Sequence, residues 1–237
     1  GAALQDILPP GIIHQLTLGR FLEQLGRLEE ATAVYRAAEA RLTSEADLSP
    51  GNYQAIAAYY NRQQLGEDSL RVTRELVAGF PAVGRYRLRL ADLLHRHGLE
   101  KEAEAAFRAA VRLEPAALVP LIKLAAFLAG ANRIPESRQA YEEALALLPR
   151  AVDLNVGHIR TISNFYYRQG EYQLALDVFK RGLKALPGDL RVRIAFGDCY
   201  LKLGRKLEAR VEYQRVLSRD PSNSEARQRL AKIGVSH

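Results

Sequence analysis

The chain has 237 residues, of which 48% are hydrophobic, 26% charged and 8% aromatic, a composition typical of a folded protein with a sizeable core. This composition excludes a disordered chain, and the single cysteine excludes an intrachain disulfide. No run of eighteen apolar residues is present, so the sequence predicts no membrane span. Basic residues number 34, of which 27 are arginine, against 27 acidic residues. The excess of arginine predicts a partner that carries carboxylates or phosphates.

The chain begins Gly-Ala-Ala-Leu and contains no methionine. Its first residues have neither the charged region nor the apolar region of a signal peptide. We therefore expect the sequence to be a segment of a longer protein, with residues 1–11 forming an N-terminal extension.

From residue 12 onward the chain repeats itself with a period of 34 residues. The segment LADLLHRHGLEKEAEAAFRAAVRLEP, which starts at Leu90, aligns without a gap on LAAFLAGANRIPESRQAYEEALALLP, which starts at Leu124. In this frame six repeats start at residues 12, 50, 84, 118, 156 and 190. Four-residue insertions follow the first repeat (46–49) and the fourth repeat (152–155). Because four residues are close to one helical turn, we expect each insertion to lengthen its repeat locally without disrupting the packing.

Two positions of the repeat hold only small residues. Position 8 is Gly19, Ala57, Ala91, Ala125, Ser163 and Gly197, and position 20 is Ala31, Ser69, Ala103, Ser137, Ala175 and Ala209. Helices that cross closely need small residues at the crossing, so these positions predict where the two helices of each repeat touch. Large apolar residues occupy positions 7, 11 and 24, with Thr73 as the one exception.

Turn-forming residues separate the predicted helices. Left-handed turns after the first helix are predicted at Gly26, Gly98, Gly170 and Gly204, and the second helix is predicted to end at Pro81, Pro115, Pro149, Pro187 and Pro221. Each repeat is therefore predicted to be a helix-turn-helix unit. Residues 224–237 predict one further helix, either a cap or the truncated start of another repeat.

A 34-residue helix-turn-helix unit with small residues at positions 8 and 20 and proline at 32 resembles the tetratricopeptide repeat (TPR) family, and the resemblance covers residues 12–223. It implies an all-α fold, a right-handed α-solenoid of six repeats plus a C-terminal capping helix. It also implies that the first helices line a concave groove, in which positions 2, 5, 9, 12 and 13 face a bound partner. The second repeat departs most from the family pattern.

The implied groove positions carry most of the net charge of the chain. Eight basic residues minus three acidic ones give +5, out of +7 for the whole chain. The basic residues are Arg20, Arg62, Arg85, Arg96, Arg160, Arg168, Arg191 and Lys202, and the acidic ones are Glu23, Asp92 and Asp198. A concave face with one sign of charge attracts an acidic protein or peptide. The alternative is that these arginines only solvate exposed helix faces.

The groove positions of the fourth repeat are all uncharged: Val119, Ile122, Ala126, Ala129 and Gly130. A contiguous apolar patch of this kind predicts a docking site for a hydrophobic anchor of the partner, bordered by Asn164 and Tyr167. Alternatively, neighbouring helices or the inserted residues 152–155 cover the patch. We predict that the partner-binding residues are Arg62, Arg85, Arg96, Val119, Ile122, Ala126, Arg160, Asn164, Tyr167, Arg168, Arg191 and Lys202.

The sequence predicts a noncatalytic protein without a cofactor or a metal site, since it contains no Gly-rich phosphate loop and no HExxH, CxxC or GxSxG motif. His95 and His97 are two residues apart on a predicted helix, so they point in different directions and cannot chelate one metal ion. Cys199 has no histidine near it in the sequence and is predicted to be a packed thiol.

Two functions remain open. The first is a scaffold that holds another protein, by analogy with TPR segments of bacterial exopolysaccharide-export and envelope-assembly proteins, which favours the periplasm over the cytoplasm. The second is direct binding of an anionic polymer, a polysaccharide or nucleic acid, through the same arginines. Nucleic acid is disfavoured, because RNA-reading helical repeats have a 35-residue period and small polar residues where position 5 here is largely apolar. Ile13 and Leu16, at groove positions of the first repeat, predict that flanking repeats of the parent chain or another chain cover them.

Overall fold

A computed structural model of the chain describes residues 11–42 and 47–234. These residues form thirteen α-helices and one short 3₁₀ helix, and they contain no β-strand. The chain divides into two compact units, Gly1–Leu113 and Glu114–His237. The predicted all-α architecture of paired helices is confirmed for the part of the chain that the structure describes.

The first unit contains three helix pairs. They are α1 (Ile12–Gln24) with α2 (Leu28–Ala40), α3 (Pro50–Arg62) with α4 (Gly66–Gly79), and α5 (Gly84–Arg96) with α6 (Glu100–Leu113). The helices of a pair pack on each other, and the second helix of one pair also contacts the first helix of the next. Their shared core includes Ile56, Tyr60 and Leu76.

The second unit contains three further pairs and a terminal helix. They are α7 (Leu118–Gly130) with α8 (Ile134–Leu147), α9 (Val156–Arg168) with α10 (Tyr172–Ala185), α11 (Leu190–Lys202) with α12 (Lys206–Arg219), and finally α13 (Ser224–Gly234). The first helices α7, α9 and α11 contact each other in that order. This unit therefore has a layer of first helices backed by a layer of second helices. In both units the first helices begin at residues 12, 50, 84, 118, 156 and 190, where the sequence analysis starts its repeats.

The two helices of each pair cross at the small residues of positions 8 and 20, all twelve of which are buried. Where one of these residues is serine, its hydroxyl donates a hydrogen bond to the main-chain carbonyl of the facing small residue. The three bonds are Ser69 Oγ to Ala57 O at 3.0 Å, Ser137 Oγ to Ala125 O at 2.8 Å, and Ser163 Oγ to Ala175 O at 3.0 Å. A hydroxyl on Cβ reaches the opposite backbone, so a larger side chain would separate the helices.

Glycine stands at position 8 where a tyrosine ring at position 24 lies directly over the backbone. A Cβ atom on Gly19 would lie 2.7 Å from Cε2 of Tyr35, and one on Gly197 would lie 2.5 Å from Cε1 of Tyr213. Thr73, the exception at position 24, is also fully buried, and its Oγ1 donates to the Ser69 carbonyl at 2.7 Å. The threonine hydroxyl is thereby satisfied within its own helix.

The predicted left-handed turns are present. The φ angles of Gly26, Gly98, Gly170 and Gly204 lie between 71° and 76°. In the second and fourth pairs the same position holds Gln64 and Asn132, with φ of 60° and 59°. The tight turn is therefore kept even where a side chain makes its conformation less favourable.

The insertions differ from the expected added helical turn. Helix α8 ends at Leu147, and a 3₁₀ helix (Leu148–Arg150) and a non-helical segment lead to Asn155, whose Oδ1 accepts the N–H of His158 at 3.2 Å and caps α9. Residues 43–46, which include the start of the first insertion, lie outside the described residues. Its last residue, Ser49, caps α3 in the same way, since Oγ accepts the N–H of Asn52 at 3.3 Å. A capping side chain, rather than extra helix, ends both insertions.

Helix α13 covers the core of the last helix pair, whereas part of the first helix stays exposed. Helix α13 buries Ala226 and packs Leu230 and Ile233 on the core of the last pair, while its outer face is polar. At the other end, Leu16 is 7% exposed and belongs to the core of the first unit, so it does not face a partner as expected. Ile13 is 69% exposed.

We expect Gly197→Ala to lower the free energy of unfolding by about 1–3 kcal/mol, because the added methyl would displace the buried Tyr213 ring. Gly79→Ala is a matched control at the end of α4, where nothing lies within 4 Å of the new Cβ, and its effect should stay within about 1 kcal/mol. Urea unfolding followed by circular dichroism measures both. Equal effects of the two substitutions would contradict the packing argument.

A second prediction concerns Glu212 of α12, which is 4% exposed, accepts a hydrogen bond from Nη1 of Arg193 at 2.8 Å and also pairs with Arg215. Glu212→Ala should cost about 3 kcal/mol, because it leaves the largely buried Arg193 guanidinium without a counter-charge. The control is Glu208→Ala on the same helix, which removes an exposed pair and should cost less than about 1 kcal/mol. Urea midpoints of the two variants distinguish these outcomes.

Candidate partner-binding site

Arg62, at the end of α3, is neutralised by Glu23 of α1. Its Nε and Nη2 donate to the two carboxylate oxygens, each at 2.7 Å, and Nε2 of Gln63 donates to the same carboxylate at 3.3 Å. The hydrogen bond from Arg62 is the main cause that holds the pKa of Glu23 below its ordinary value. Arg62 therefore fastens α3 to α1, and a partner would have to compete with a bidentate ion pair for its charge.

Arg191, at the start of α11, is neutralised within its own helix turn. Its Nε and Nη2 donate to the Asp189 carboxylate at 3.0 and 2.7 Å, and its main-chain N–H donates at 2.9 Å. The hydrogen bonds from Arg191 lower the pKa of Asp189. Arg191 was predicted to bind a partner, but its side chain is paired with Asp189 at the start of α11.

Arg85 and Arg96 of α5 have polar neighbours but no anionic partner. Nη1 of Arg96 donates to Oδ1 of Asn61 at 2.9 Å. Nη2 of Arg85 donates to the Tyr86 hydroxyl at 3.2 Å, and its guanidinium carbon lies 5.1 Å from the centre of that ring. No carboxylate of the described residues forms an ion pair with either arginine, so both charges remain unbalanced.

Four predicted binding residues of the second unit converge on one cavity of about 280 Å³ between α9 and α11, here called the α9–α11 pocket. It is lined by Arg160, Ser163, Asn164, Tyr167, Phe179, Ala195, Asp198, Cys199, Lys202 and Arg229. Contacts across the pocket join its two walls. The Tyr167 hydroxyl donates to the Lys202 carbonyl at 3.3 Å, and Nζ of Lys202 lies 3.4 Å from Oδ1 of Asn164 and 5.5 Å from the centre of the Tyr167 ring.

The one carboxylate of the α9–α11 pocket is already neutralised. Asp198 accepts hydrogen bonds from Nε and Nη2 of Arg229 at 2.8 and 3.4 Å and from the Tyr213 hydroxyl at 2.8 Å. Arg160 and Lys202 are both exposed, and neither forms an ion pair with any described residue, so the pocket keeps a surplus of two positive charges. Arg229 is not among the predicted binding residues, because in the 34-residue frame it stands at position 6, outside the five groove positions.

A second cavity, of about 370 Å³, lies between α7 and α9 and is here called the α7–α9 cleft. It is lined by Ala126, Ala129, Gly130, Ile134, Tyr141, Thr161, Asn164, Phe165, Arg168 and Gln169. Because Asn164 also lines the α9–α11 pocket, the two cavities adjoin along α9. Arg168 is exposed and forms no ion pair within the described part of the chain, so this cleft combines an apolar wall with one available cation.

The apolar patch predicted on the fourth repeat is smaller than expected. Ile122 is only 5% exposed and belongs to the core, so its side chain is not available as a docking surface. Val119 is half-buried, whereas Ala126 and Gly130 are exposed. The alternative that neighbouring structure covers the patch therefore holds for Ile122, and the accessible apolar wall is that of the α7–α9 cleft.

The site offers cations, amides and a tyrosine to a bound segment. Cys199 is buried, as predicted for a packed thiol, and burial raises the pKa of that thiol. The described residues contain no group of three histidine, cysteine or acidic side chains able to hold a metal ion. None of the helices described is both long and apolar enough to cross a membrane.

Three family models described as tetratricopeptide repeat match the chain, over residues 15–40, 54–117 and 166–233. The Arabidopsis thaliana protein named Protein CTR9 homolog is 31% identical over 105 residues, which are 44% of this chain and 9% of that protein. The Homo sapiens Protein O-mannosyl-transferase TMTC1 is 25% identical over 221 residues, which are 93% of this chain and 24% of that protein. The chain thus spans less than two thirds of both relatives.

Among solved structures, a tetratricopeptide repeat protein from Parabacteroides merdae superposes with a TM-score of 0.58 at 15% identity, covering 95% of this chain and 85% of that one. The similarity at this identity shows the fold alone.

Tyr141, a buried residue of the α7–α9 cleft, provides a pH-dependent test of the packing. Burial raises the pKa of Tyr141 from 10.0 to about 12. Its contribution to stability is therefore complete below pH 10 and is lost as the pH rises through about 12, where the folded chain must bury a phenolate. We expect Tyr141→Phe to shift the alkaline unfolding midpoint, measured by circular dichroism, to higher pH. The exposed Tyr172→Phe is the control and should leave the midpoint unchanged; an equal shift would refute the assignment to Tyr141.

Proposed function

Because the chain belongs to the tetratricopeptide repeat family, whose fold generally mediates protein–protein interaction and is typically noncatalytic, we propose that its second unit binds an acidic segment of a partner protein. The observation that carries the proposal is the convergence of Arg160 and Lys202 on the α9–α11 pocket, whose carboxylate is already paired. A pocket with two unbalanced cations is complementary to carboxylate side chains.

The available residues form a continuous path along α9. An apolar side chain of the partner would enter the α7–α9 cleft beside Ala126, and acidic side chains would lie near Arg168, Arg160 and Lys202. The amide of Asn164 lies between the two cavities, where it can bond a main-chain group of the partner. This arrangement favours an extended peptide segment, because the cavities follow one helix.

Other residues named from the sequence are left out of this path. Arg62 and Arg191 are neutralised by carboxylates of the chain itself, and Ile122 is buried. A role in a bacterial envelope or exopolysaccharide-export assembly stays a prediction by family analogy.

Direct binding of an anionic polymer is the second candidate, since it would use the same three cations. The two candidates differ in their need for the α7–α9 cleft. A polyanion requires only positive charge, whereas a protein segment also gains from burying an apolar side chain against Ala126 and Ala129.

The charge requirement can be tested with an acidic peptide selected from a displayed peptide library on the wild-type chain. We expect Arg160→Glu combined with Lys202→Glu to weaken calorimetric binding about tenfold or more, because two attractions become repulsions. The matched control, Lys206→Glu with Arg210→Glu, changes the net charge of the chain equally on exposed positions of α12. If both double variants weaken binding alike, only net charge matters and the site assignment is wrong.

The choice between a protein and a polymer depends on Ala126→Lys, measured with the selected peptide and with heparin as the anionic polymer. The lysine fills the cleft but adds a positive charge. A protein-binding site should therefore lose affinity for the peptide, while heparin should bind at least as tightly as before. Unchanged peptide binding, together with heparin binding that depends on Arg160 and Lys202, would favour the polymer.

A further inference from the structure

Arg89, in the middle of α5 in the first unit, is a half-buried guanidinium without a counter-charge. It forms no ion pair or hydrogen bond with any described residue. Burial, and next the positive charge of Arg96, lower the pKa of the Arg89 guanidinium below its ordinary value. Arginine is almost never fully buried without a pairing group, and half-burial already removes part of the Arg89 guanidinium from water.

Arg89 belongs to a row of charged residues on one face of α5. Arg85, Arg89, Asp92 and Arg96 follow each other at spacings of three or four residues, so their side chains lie on the same side of the helix. Asp92 forms no ion pair with Arg89, and its main-chain carbonyl accepts a hydrogen bond from Nε of Arg96 at 3.4 Å. The row of three cations and one carboxylate has a net charge of +2.

Two features of this row oppose folding as long as no anion is bound. Like charges four residues apart, such as Arg85 and Arg89, oppose helix formation, and burial of an unpaired cation opposes folding. Elsewhere a buried charge is matched, as Glu212 is by Arg193. Uncompensated charge of this kind is typical of binding sites, in which groups that bind a ligand lower the folding stability of the free protein.

We propose that Arg89 and Arg96 bind one phosphate monoester group, presented by a phosphorylated side chain of a partner protein. At neutral pH such a group carries about −1.5 to −2 charges, which balances two guanidiniums, and it has three acceptor oxygens. A carboxylate has one charge and would leave one of the two arginines unbalanced. Seven residues separate the arginines, a rise of about 10.5 Å along the helix, so both long side chains can reach a group held between them. Asn61 holds Arg96 in position through the 2.9 Å bond from Nη1.

The first test is thermal unfolding of the full chain in sodium phosphate and in sodium chloride of equal ionic strength. We expect phosphate, and not chloride, to raise the Tm of the wild type. Without phosphate, Arg89→Gln should raise the Tm by about 2–4 °C, because it removes an unpaired buried charge, and it should abolish the response to phosphate. Arg112→Gln, an exposed position of α6, is the control and should retain that response.

The second test compares N-acetyl-phosphoserine amide with N-acetyl-glutamate amide by calorimetry. The phosphorylated probe should bind the wild type at least tenfold more tightly, and Arg89→Gln or Arg96→Gln should remove the difference. Equal binding of the glutamate probe would overturn the assignment to phosphate. If inorganic phosphate binds but N-acetyl-phosphoserine amide does not, the assignment to a phosphorylated side chain is wrong.

The variant with Arg160→Glu and Lys202→Glu separates this proposal from the one for the second unit. It should keep the full response to phosphate, because Arg89 and Arg96 lie in the first unit. If it loses that response while Arg89→Gln keeps it, phosphate binds in the α9–α11 pocket and the proposal for Arg89 is wrong.

Discussion

The two helices of every pair approach so closely that nothing larger than alanine or serine fits where they cross. The serine hydroxyls at positions 8 and 20 donate to the backbone of the opposite helix at 2.8 to 3.0 Å, which leaves no room for a longer side chain. This contact fixes which face of each first helix turns inward, and so it also fixes which residues remain on the outer face. The positions of Arg160, Asn164 and Lys202 around one pocket follow from that orientation.

Local steric requirements explain why the helices could be predicted from the sequence. The small residues and the turn glycines occur at a fixed spacing, and each has a conformational reason to be there. Gln64 and Asn132 show the limit of this reasoning, because no glycine marks these two left-handed turns; asparagine tolerates the conformation, whereas glutamine seldom adopts it. The inserted residues show another limit. We expected an added helical turn, but Ser49 and Asn155 instead cap the helix that follows each insertion.

The sequence predicted which residues face the groove better than it predicted which of their charges are neutralised by other side chains. The sequence assigned Arg160, Asn164, Tyr167 and Lys202 to the groove face of the first helices, because helical periodicity determines which side chains share a face. That all four line one pocket could not be predicted. Whether a charge is neutralised depends on distances between side chains of different repeats, which no periodicity supplies. The pairing of Arg62 with a carboxylate 39 residues away is one such case, and the burial of Ile122 by neighbouring side chains is another.

Several arginines of the second helices do more than solvate an exposed helix face. In both units, arginines of second helices pair with carboxylates of the adjacent repeat, so there they act as links between repeats. These pairs are Arg71 with Glu39, Arg74 with Glu102, and Arg138 with Glu171. On the first helices, by contrast, Arg85, Arg89, Arg96, Arg160 and Arg168 have no such carboxylate within the described residues. A first helix can contribute such a link too, as Arg62 does with Glu23. The arginines of the first helices without a carboxylate partner are those that we propose an anionic partner would stabilise.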